Sequence, residues 1–443
     1  MRTINVGDII GKSKFNMFFL ALFLTLLVTL VIDGAEMGLF GTALPVLIES
    51  TGISSTVFGV IGTFSQYAMM LGGVIFGMMS DRFGRKISLI MCVVFFSLGT
   101  GMFGTANTPA EFAIWRMIGG LGMAGVAPIC VALLSEYSPA KNRVTLITMV
   151  TAGPPMGMVL APLLGLLFLP SGAWRTMYFL GFVPLILIIF ILKFVPEAMD
   201  RLVKGDKKVV GNILKKADPG FVPDPDDEYV TNTSTKPKKA ALATLFKDGM
   251  LSNTILLWVV FICIVFAITT VNTWLPKLMT DQGYPLTSSL LFTFTYALGA
   301  LPAIAISGWV TNRLGYKKAI ITYLIVTLAL VLLMLVKTNA VILYVNLFLV
   351  GGGFYGSFGL IYAYTASIYP MTHRGTGVGW AGSIGRFGSS FGPMIGGVLI
   401  AANAAMANRF MFLIIACLIA LAAICIVYTK EIADAKQDKR STV

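Results

Sequence analysis

The sequence predicts an all-α integral membrane protein with twelve transmembrane helices in two pseudo-symmetric six-helix bundles. Three observations lead there: a shortage of charge, a succession of helix-length apolar segments, and a set of motifs repeated 231 residues apart. Of 443 residues, 57% are hydrophobic and 12% charged, against roughly 25% charged in soluble domains. That is too little charge to coat a water-exposed surface, whereas a lipid-facing surface needs none. A soluble enzyme, a nucleic-acid-binding module, a disordered chain and a disulfide scaffold are excluded on this ground. The five cysteines, Cys92, Cys130, Cys263, Cys417 and Cys425, stand singly in apolar runs and form no C-x-x-C pair. They indicate neither a zinc site nor a redox motif and read as small apolar packing residues.

A hydrocarbon core about 30 Å thick takes roughly 20 apolar residues per helix. Residues 1–14 are polar. The apolar run from Phe15 to Ile32 is long for a signal-peptide core and lacks a small-residue cleavage site, so it reads as a retained first helix. Residues 15–196 hold six segments centred near Leu26, Met69, Phe96, Gly122, Met156 and Leu185. Residues 197–250 are polar, with an acidic patch (Asp224, Asp226, Asp227, Glu228) and a basic one (Lys236, Lys238, Lys239); they are expected to be a solvated, mobile tether without chemistry. Residues 251–429 hold six more segments, centred near Val265, Ala300, Thr327, Gly353, Gly388 and Ile419, and residues 430–443 form a polar tail.

Basic residues sort by loop. Arg82, Arg85 and Lys86 follow the second segment, Lys141 and Arg143 the fourth, Arg313, Lys317 and Lys318 the eighth, and Arg374 the tenth. The tail is basic as well, whereas the opposite loops offer little beyond Arg175, Lys277, Lys337 and Arg409. Under the positive-inside rule both termini and the linker are cytoplasmic. Topology thus accounts for most of the net charge of +13 without a nucleic-acid partner.

The halves are copies. Residues 77–86 (GMMSDRFGRK) close the second segment and residues 308–317 (GWVTNRLGYK) close the eighth, 231 positions later. The same offset relates Pro45 to Pro276, and Gly120, Gly122 and Gly125 to Gly351, Gly353 and Gly356. It also relates Pro139 to Pro370, Arg143 to Arg374, Pro162 to Pro393 and Gly165 to Gly396. Repeated membrane proteins commonly build a central site at the repeat interface.

Both Gly-x-Gly-x-x-Gly runs match the dinucleotide fingerprint, but that fingerprint needs a strand before it and a helix after it. Inside apolar helices, glycines at this spacing let helices approach closely. No phosphate-binding loop is present to drive ATP-powered pumping. The loop Asp81-Arg82-Phe83-Gly84-Arg85-Lys86 resembles the signature of the major facilitator superfamily and reads as a cytoplasmic gate. Its parts are Gly77, Asp81, Arg82, Gly84 and Arg85, with Glu136 and Arg143 beside them and Asn312 and Arg313 in the second copy. Asp81 can accept charge-assisted hydrogen bonds; Asn312 in the equivalent place makes such a latch asymmetric. Arg85 and Lys86 serve in part as topogenic charges. Glu136 with Arg143, and Glu197 with Arg201, read as interfacial salt-bridge networks. His373, the sole histidine, falls in a solvated loop.

Four charges lie at membrane depth: Asp33, Glu36, Arg116 and Arg386. Each costs at least ~2.5–3.5 kcal/mol at a helix centre, so each needs a partner or a wet cavity. Asp33 and Glu36, three apart, share a helix face. None recurs at the 231 offset, where Ile264, Ala267, Leu347 and Pro155 stand instead. Scaffold charges would recur in both copies; an asymmetric set marks a site. The competing reading is structural pairing, for instance of Asp33 with Arg116.

With these residues in view, the chain resembles the aromatic acid:proton symporter family of the superfamily. Asp33-Gly34-Ala35-Glu36 is similar to its D-G-x-D motif, with Glu in the last place. Arg116-x-x-x-Gly120-x-Gly122, Pro128 and Glu136-Tyr137-Ser138-Pro139 are similar to its helix-four motif. The run from Arg374 through Trp380 to Gly385-Arg386 is similar to its helix-eleven motif, and Trp274-Leu275-Pro276 to its helix-seven end. The resemblance implies alternating-access import of an aromatic carboxylate with a proton, with Asp33 and Glu36 in coupling and Arg386 at the substrate. From the residues themselves, Arg116 joins the coupling group. Arg386 suits a carboxylate because a guanidinium can bond both oxygens. Trp274, Tyr362, Tyr364 and Trp380 offer ring faces, or else serve as packing and lipid-belt aromatics. Alternatives left open are a sugar, polyol or other metabolite symporter, a drug:proton antiporter, and a nutrient sensor on a transporter fold. No enzyme constellation or metal site is expected; the proton is the only coupling partner, and the chain is expected to act as a monomer in the cell inner or plasma membrane.

Overall fold

The computed structural model of the chain describes residues 2–203, 205, 207–224, 227–231, 245–246, 250–336, 338–369, 374–402 and 406–427. Asp226, the basic patch at Lys236, Lys238 and Lys239, His373 and the tail from residue 430 lie outside them. A short strand β1 (Thr3–Asn5) and helix α1 (Val6–Lys12) precede α2 (Met17–Thr51), α3 (Ser55–Phe83), α4 (Arg85–Phe103) and α5 (Pro109–Glu136). Then come α6 (Arg143–Thr151), α7 (Gly153–Phe168), α8 (Trp174–Phe179), α9 (Leu187–Phe194), α10 (Met199–Val203), α11 (Lys207–Ala217) and strand β2 (Glu228–Val230). The second half runs α12 (Leu251–Asp281), α13 (Leu286–Leu314), α14 (Tyr316–Leu333), α15 (Ala340–Ile368), α16 (Arg374–Ala401) and α17 (Met406–Ile426).

Among the described residues ten helical stretches are long and apolar enough to cross a membrane, so the protein is a multi-pass membrane protein. Two of the ten are interrupted. Ala152 separates α6 from α7, which opens on Gly153, Pro154 and Pro155, where prolines remove backbone donors, and a 3-10 stretch containing Pro184 separates α8 from α9. The two remaining expected spans correspond to α16, which is helical over 28 residues but rich in Gly and Ser, and α17, whose apolar part is Leu413–Ile426.

The duplication is visible as packing. A Cβ added at Gly120 would meet Ser65, and one at Gly351 would meet Tyr296; Gly122 meets Phe96 where Gly353 meets Thr327. Gly125 lies against Cys92 as Gly356 lies against Tyr323, and Gly157 against Val31 as Gly388 lies against Ile262. Each pair of partners is again 231 residues apart. Small residues let backbones touch where lipid supplies no hydrophobic drive, so both glycine runs set helix spacing. The helix starts repeat too. Thr108 caps α5 by accepting the Glu111 N–H, and Asn339 caps α15 by accepting the Ile342 N–H. Gly84 (φ +97°) and Gly315 (φ +74°) make the corresponding turns into α4 and α14, in a conformation that favours glycine.

The chain divides into two compact units, Met1–Thr51 with Phe64–Lys238 and Gly52–Thr63 with Lys239–Val443. The start of α3 therefore belongs to the second unit. There Ser55 Oγ donates to the Gly397 carbonyl (3.0 Å) and Thr63 Oγ1 to the Ser390 carbonyl (2.7 Å), both on α16.

The linker departs from expectation. Its first part, which was expected to be a mobile tether, is folded onto residues 2–16. β1 pairs with β2 in parallel, with Thr3 opposite Glu228. Arg2 donates from Nε and Nη2 to the two oxygens of Asp227, at 3.0 and 2.9 Å, and the Asp227 side chain is 1% exposed. Asn16 Nδ2 donates to the carbonyls of Lys216 and Ala217 and closes the end of α11. Ile4, Val6 and Ile10 join Val210, Leu214 and Tyr229 in one buried cluster. Two short apolar sets, neither large enough to form a core alone, complete each other across more than 200 positions.

Two outcomes test this architecture. Gly388→Leu should lower the thermal midpoint of the detergent-solubilised protein by several degrees, since overpacking costs about 1–3 kcal/mol, whereas Gly308→Ala, with nothing within 4 Å, should not. Separately, the Arg2 guanidinium holds the Asp227 carboxyl below its ordinary value of 3.8. A depressed carboxyl stabilises the fold above that value and loses its contribution as pH falls through the folded one. Hydrogen exchange of residues 3–12 should stay slow from neutrality down to pH 3.8 and accelerate only on further acidification; Asp227→Asn should accelerate it at neutral pH.

Candidate functional site

In the first unit the membrane-depth charges assemble around α2. Asp33, Glu36 and Phe40, at spacings of three and four, share one face of that helix. Asp33 is 4%, Glu36 3% and Arg116 9% exposed. Thr100 of α4 donates from Oγ1 to Glu36 Oε2 at 3.0 Å. The Arg116 guanidinium of α5 lies 4.8 Å from the centroid of the Phe40 ring, a cation–π contact that offsets part of its desolvation. Glu36 and Arg116 also attract each other electrostatically. Glu36 Oε1 and Arg116 Nε have no hydrogen-bond partner among the described residues. The cause is local: Gly99 and Gly119 permit backbone contact of α4 with α5, which brings Thr100 and Arg116 to the same depth. Gly99, Thr100, Phe103, Trp115, Arg116, Gly119 and Tyr178 line a crevice too tight for water. Among the described residues Glu36 accepts one hydrogen bond, from the Thr100 hydroxyl.

In the second unit Arg386 projects from α16, half-buried. Among the described residues its guanidinium enters no ion pair. Tyr362 of α15 stands beside it: the two interact electrostatically, and a Cβ at Gly382, one turn before Arg386, would meet Tyr362 Oη at 2.5 Å. Phe261 and Phe358 set their rings edge-on to Tyr362, at 4.8 and 5.0 Å. Among the described residues, Tyr362 is the expected aromatic with an interaction to Arg386.

The other three have different surroundings. Trp274 is fully buried, its indole N–H donating to the Pro393 carbonyl at 2.9 Å, and Gly396 and Gly397 make room for the ring. The ring and its N–H thus pack α12 against α16. Tyr364, two positions from Tyr362 and so on another face, is buried against Tyr316. Trp380 is 40% exposed and, seven and eleven positions before them, shares a helix face with the exposed Phe387 and Phe391.

The loop residues form a cluster of their own. Arg85 and Glu136 form an ion pair. Glu197 Oε1 accepts the N–H of Lys86 at 3.3 Å and of Ala198 at 3.0 Å, so a carboxylate sits at the positive start of α4. At Gly84 a Cβ would run into that carboxylate. Tyr137 Oη donates to the Glu197 carbonyl and Arg143 Nη2 to the Ser138 carbonyl. Asp81, Arg82, Asn312 and Arg313 are exposed; Arg82 lies over Phe83 and Arg313 over Trp309. Gly77 has open space beside it. Sequence reasoning passed over Thr100 and Phe40, which carry no charge and look like any other residues of an apolar helix; the spacing of Phe40 from Glu36 is the one available signal.

Comparison with known proteins gives the same direction. A model of the Major Facilitator Superfamily matches residues 26–301 and 287–442. The benzoate transport protein of Acinetobacter baylyi is 30% identical over 406 residues, covering 90% of this chain and 87% of that protein. The gentisate transporter of Corynebacterium glutamicum is 32% identical over 386 residues, covering 86% and 81%. The crystal structure of a D-xylose-proton symporter superposes with a TM-score of 0.69 at 17% identity, over 92% of this chain and 97% of that one. The chain belongs to the Major Facilitator Superfamily, a class of membrane transporters. Within it, the resemblance carried by residues 33–36, 116–139 and 374–386 is borne out by the two bacterial relatives.

Thr100→Val removes the hydroxyl that serves Glu36 while keeping the side-chain volume. A buried acceptor left without its donor costs about 1–3 kcal/mol, so the thermal midpoint should drop measurably, with Thr100→Ser close to wild type. Equal midpoints for all three proteins would mean that the bond contributes nothing.

Proposed function

We propose that the protein imports a small aromatic carboxylate together with a proton, by alternating access. The observation that carries this is Arg386: a guanidinium at membrane depth, beside an aromatic hydroxyl, with no ion-pair partner of its own among the described residues. A charge so placed needs a counter-ion, and a planar carboxylate satisfies both arms of the fork. The ring of such a substrate finds Tyr362 next to it. The names of the two relatives, a benzoate and a gentisate transporter, support the same substrate class.

The proton belongs to the other unit. Asp33 and Glu36 are buried carboxyls, and the charge of Arg116 near Glu36 opposes the cost of burying the ionised form. Opening the enclosure to water shifts that balance, which is how access and proton occupancy become linked. The loop residues from Asp81 to Arg85, with Glu136, Arg143, Asn312 and Arg313, gate the cytoplasmic side. In this account all twelve helical segments cross the cell's inner or plasma membrane, both termini are cytoplasmic, and the monomer works with no cofactor beyond the proton and no nucleic-acid partner.

Proteoliposome uptake of benzoate and hydroxybenzoates, with and without an inward proton gradient, tests this directly. Uptake should require the gradient and carry no net charge for one monoanion with one proton, so the membrane potential, worth ~2.3 kcal/mol per charge per 100 mV, should contribute nothing. Arg386→Lys should lose tenfold or more in transport, since an ammonium cannot form the bidentate pair. Asp33→Asn should lose proton-driven accumulation. Full proton-driven uptake in both variants would show that neither residue holds its proposed role.

A further inference from the structure

The small subdomain made by residues 2–16 and the start of the linker carries a charged face that its own packing does not use. In α11, Val210, Gly211, Leu214 and Ala217 are buried, while Lys208, Asn212, Lys215 and Lys216 on the opposite side are exposed. Spacings of three and four make this an amphipathic helix with one basic face. Lys12, at the end of α1, and Lys14, just after it, are exposed as well. Two tethers gather these lysines. Asn16 Nδ2 donates to the carbonyls of Lys216 and Ala217, at 3.0 and 2.9 Å. The Ala140 N–H donates to the Gly11 carbonyl at 2.9 Å, which brings the exposed Lys141 to the end of α1.

Asn16 also fixes the level of the cluster. It immediately precedes α2, long and apolar enough to cross the membrane, and its neighbours Phe15 and Met17 are 41% and 75% exposed. Lys141 stands two residues before the next such stretch on its own side of the loop, Arg143–Ser171. Lys12, Lys14, Lys141, Lys215 and Lys216 therefore meet where the chain passes from water into lipid. The helix dipole accounts for a lysine in a final turn, as at Lys12, Lys215 and Lys216. It does not account for Lys14 and Lys141, which lie in no helix, or for Lys208, in a first turn where it opposes a cation. Of the acids in the subdomain, Asp227 is held by Arg2 and Asp218 by the Gly220 N–H, and Asp8 lies in the first turn of α1, at the end opposite Lys12.

We infer that this basic face binds the headgroups of anionic phospholipids and seats the N-terminal arm and α11 on the membrane surface. A layer of lipid phosphates adjoins the entry point of α2 by necessity, and a cluster of about four to eight basic residues just outside a transmembrane helix is the pattern such headgroups attract. Lysine suits this partner: its apolar stem lies along the acyl boundary while the ammonium reaches the phosphates. Phe15 and Met17 add apolar anchors at the same level. Because the arm is bonded to the start of α2 and to the loop after α5, lipid bound here ties two membrane-crossing helices to the surface. The site is separate from Asp33, Glu36, Arg116 and Arg386 and does not depend on which solute the protein carries.

Hydrogen exchange of the full chain tests this in nanodiscs of phosphatidylcholine alone and of phosphatidylcholine mixed equally with phosphatidylglycerol. A ligand of the folded state slows exchange in the segment it holds. Residues 3–12 and 207–217 should exchange at least ~5-fold more slowly in the anionic discs, the worth of one lysine near such a surface. The difference should vanish in about 1 M salt, where the screening length is about 3 Å. Lys12→Gln, Lys14→Gln, Lys141→Gln, Lys215→Gln and Lys216→Gln together should abolish it while leaving exchange in phosphatidylcholine discs as in wild type; Arg at the same five positions should preserve it. The lipid site is overturned if wild type exchanges alike in both discs, if the slowing survives salt or the Gln set, or if the Arg set loses it. It is equally overturned if soluble polyglutamate protects these residues in phosphatidylcholine discs and phosphatidylglycerol does not. The wild-type comparison decides the matter even where the Gln set fails to fold.

Discussion

The interior of a bilayer offers no water, so a charge or an unpaired polar atom persists there only where the protein encloses it or a solute completes it. Much else in this chain follows from that constraint. Apolar segments carry nearly all of the length, and backbone groups are satisfied within helices. The few polar side chains at depth either bond back to their own helix, as Thr25 and Thr29 do, or converge on one another. Glu36 with Thr100, Arg116 over Phe40, and Asn272 with Tyr355 are of the second kind.

A duplicated chain starts with two equivalent halves, and the ionised groups at depth are where the halves depart from equivalence. The glycine contacts, the helix caps and the turn glycines still obey the 231-residue register, because they answer to backbone geometry, which is the same in both copies. The acids of α2 and the arginine of α16 do not obey it. The first unit thereby holds two buried carboxyls together with Arg116, and the second holds Arg386.

Much of this was legible in the residues. The long apolar helices and the 231-residue register depend on hydropathy and spacing, which are local properties. The aromatics were harder, because a ring near the right position in sequence has several faces to choose from. Tyr362 and Tyr364 differ by two residues, and helical geometry sends one toward Arg386 and the other toward Tyr316. Trp274 belongs to a motif that suggested a ligand, yet its N–H meets a carbonyl of α16. The N-terminal arm and the linker were illegible for a different reason: each is too short and too polar to reveal a core, and the partner of each lies more than 200 residues away.

Sequence by itself determined that the chain lies in a membrane, that it is made of two copies, and which ionised groups stand where lipid opposes them, since these follow from composition and period alone. Tertiary structure decided which neutral partners those groups receive. Thr100 and Phe40 are ordinary residues until close glycine contacts and helix crossings bring them within bonding distance, and no one-dimensional pattern encodes a contact between helices that are distant in the chain.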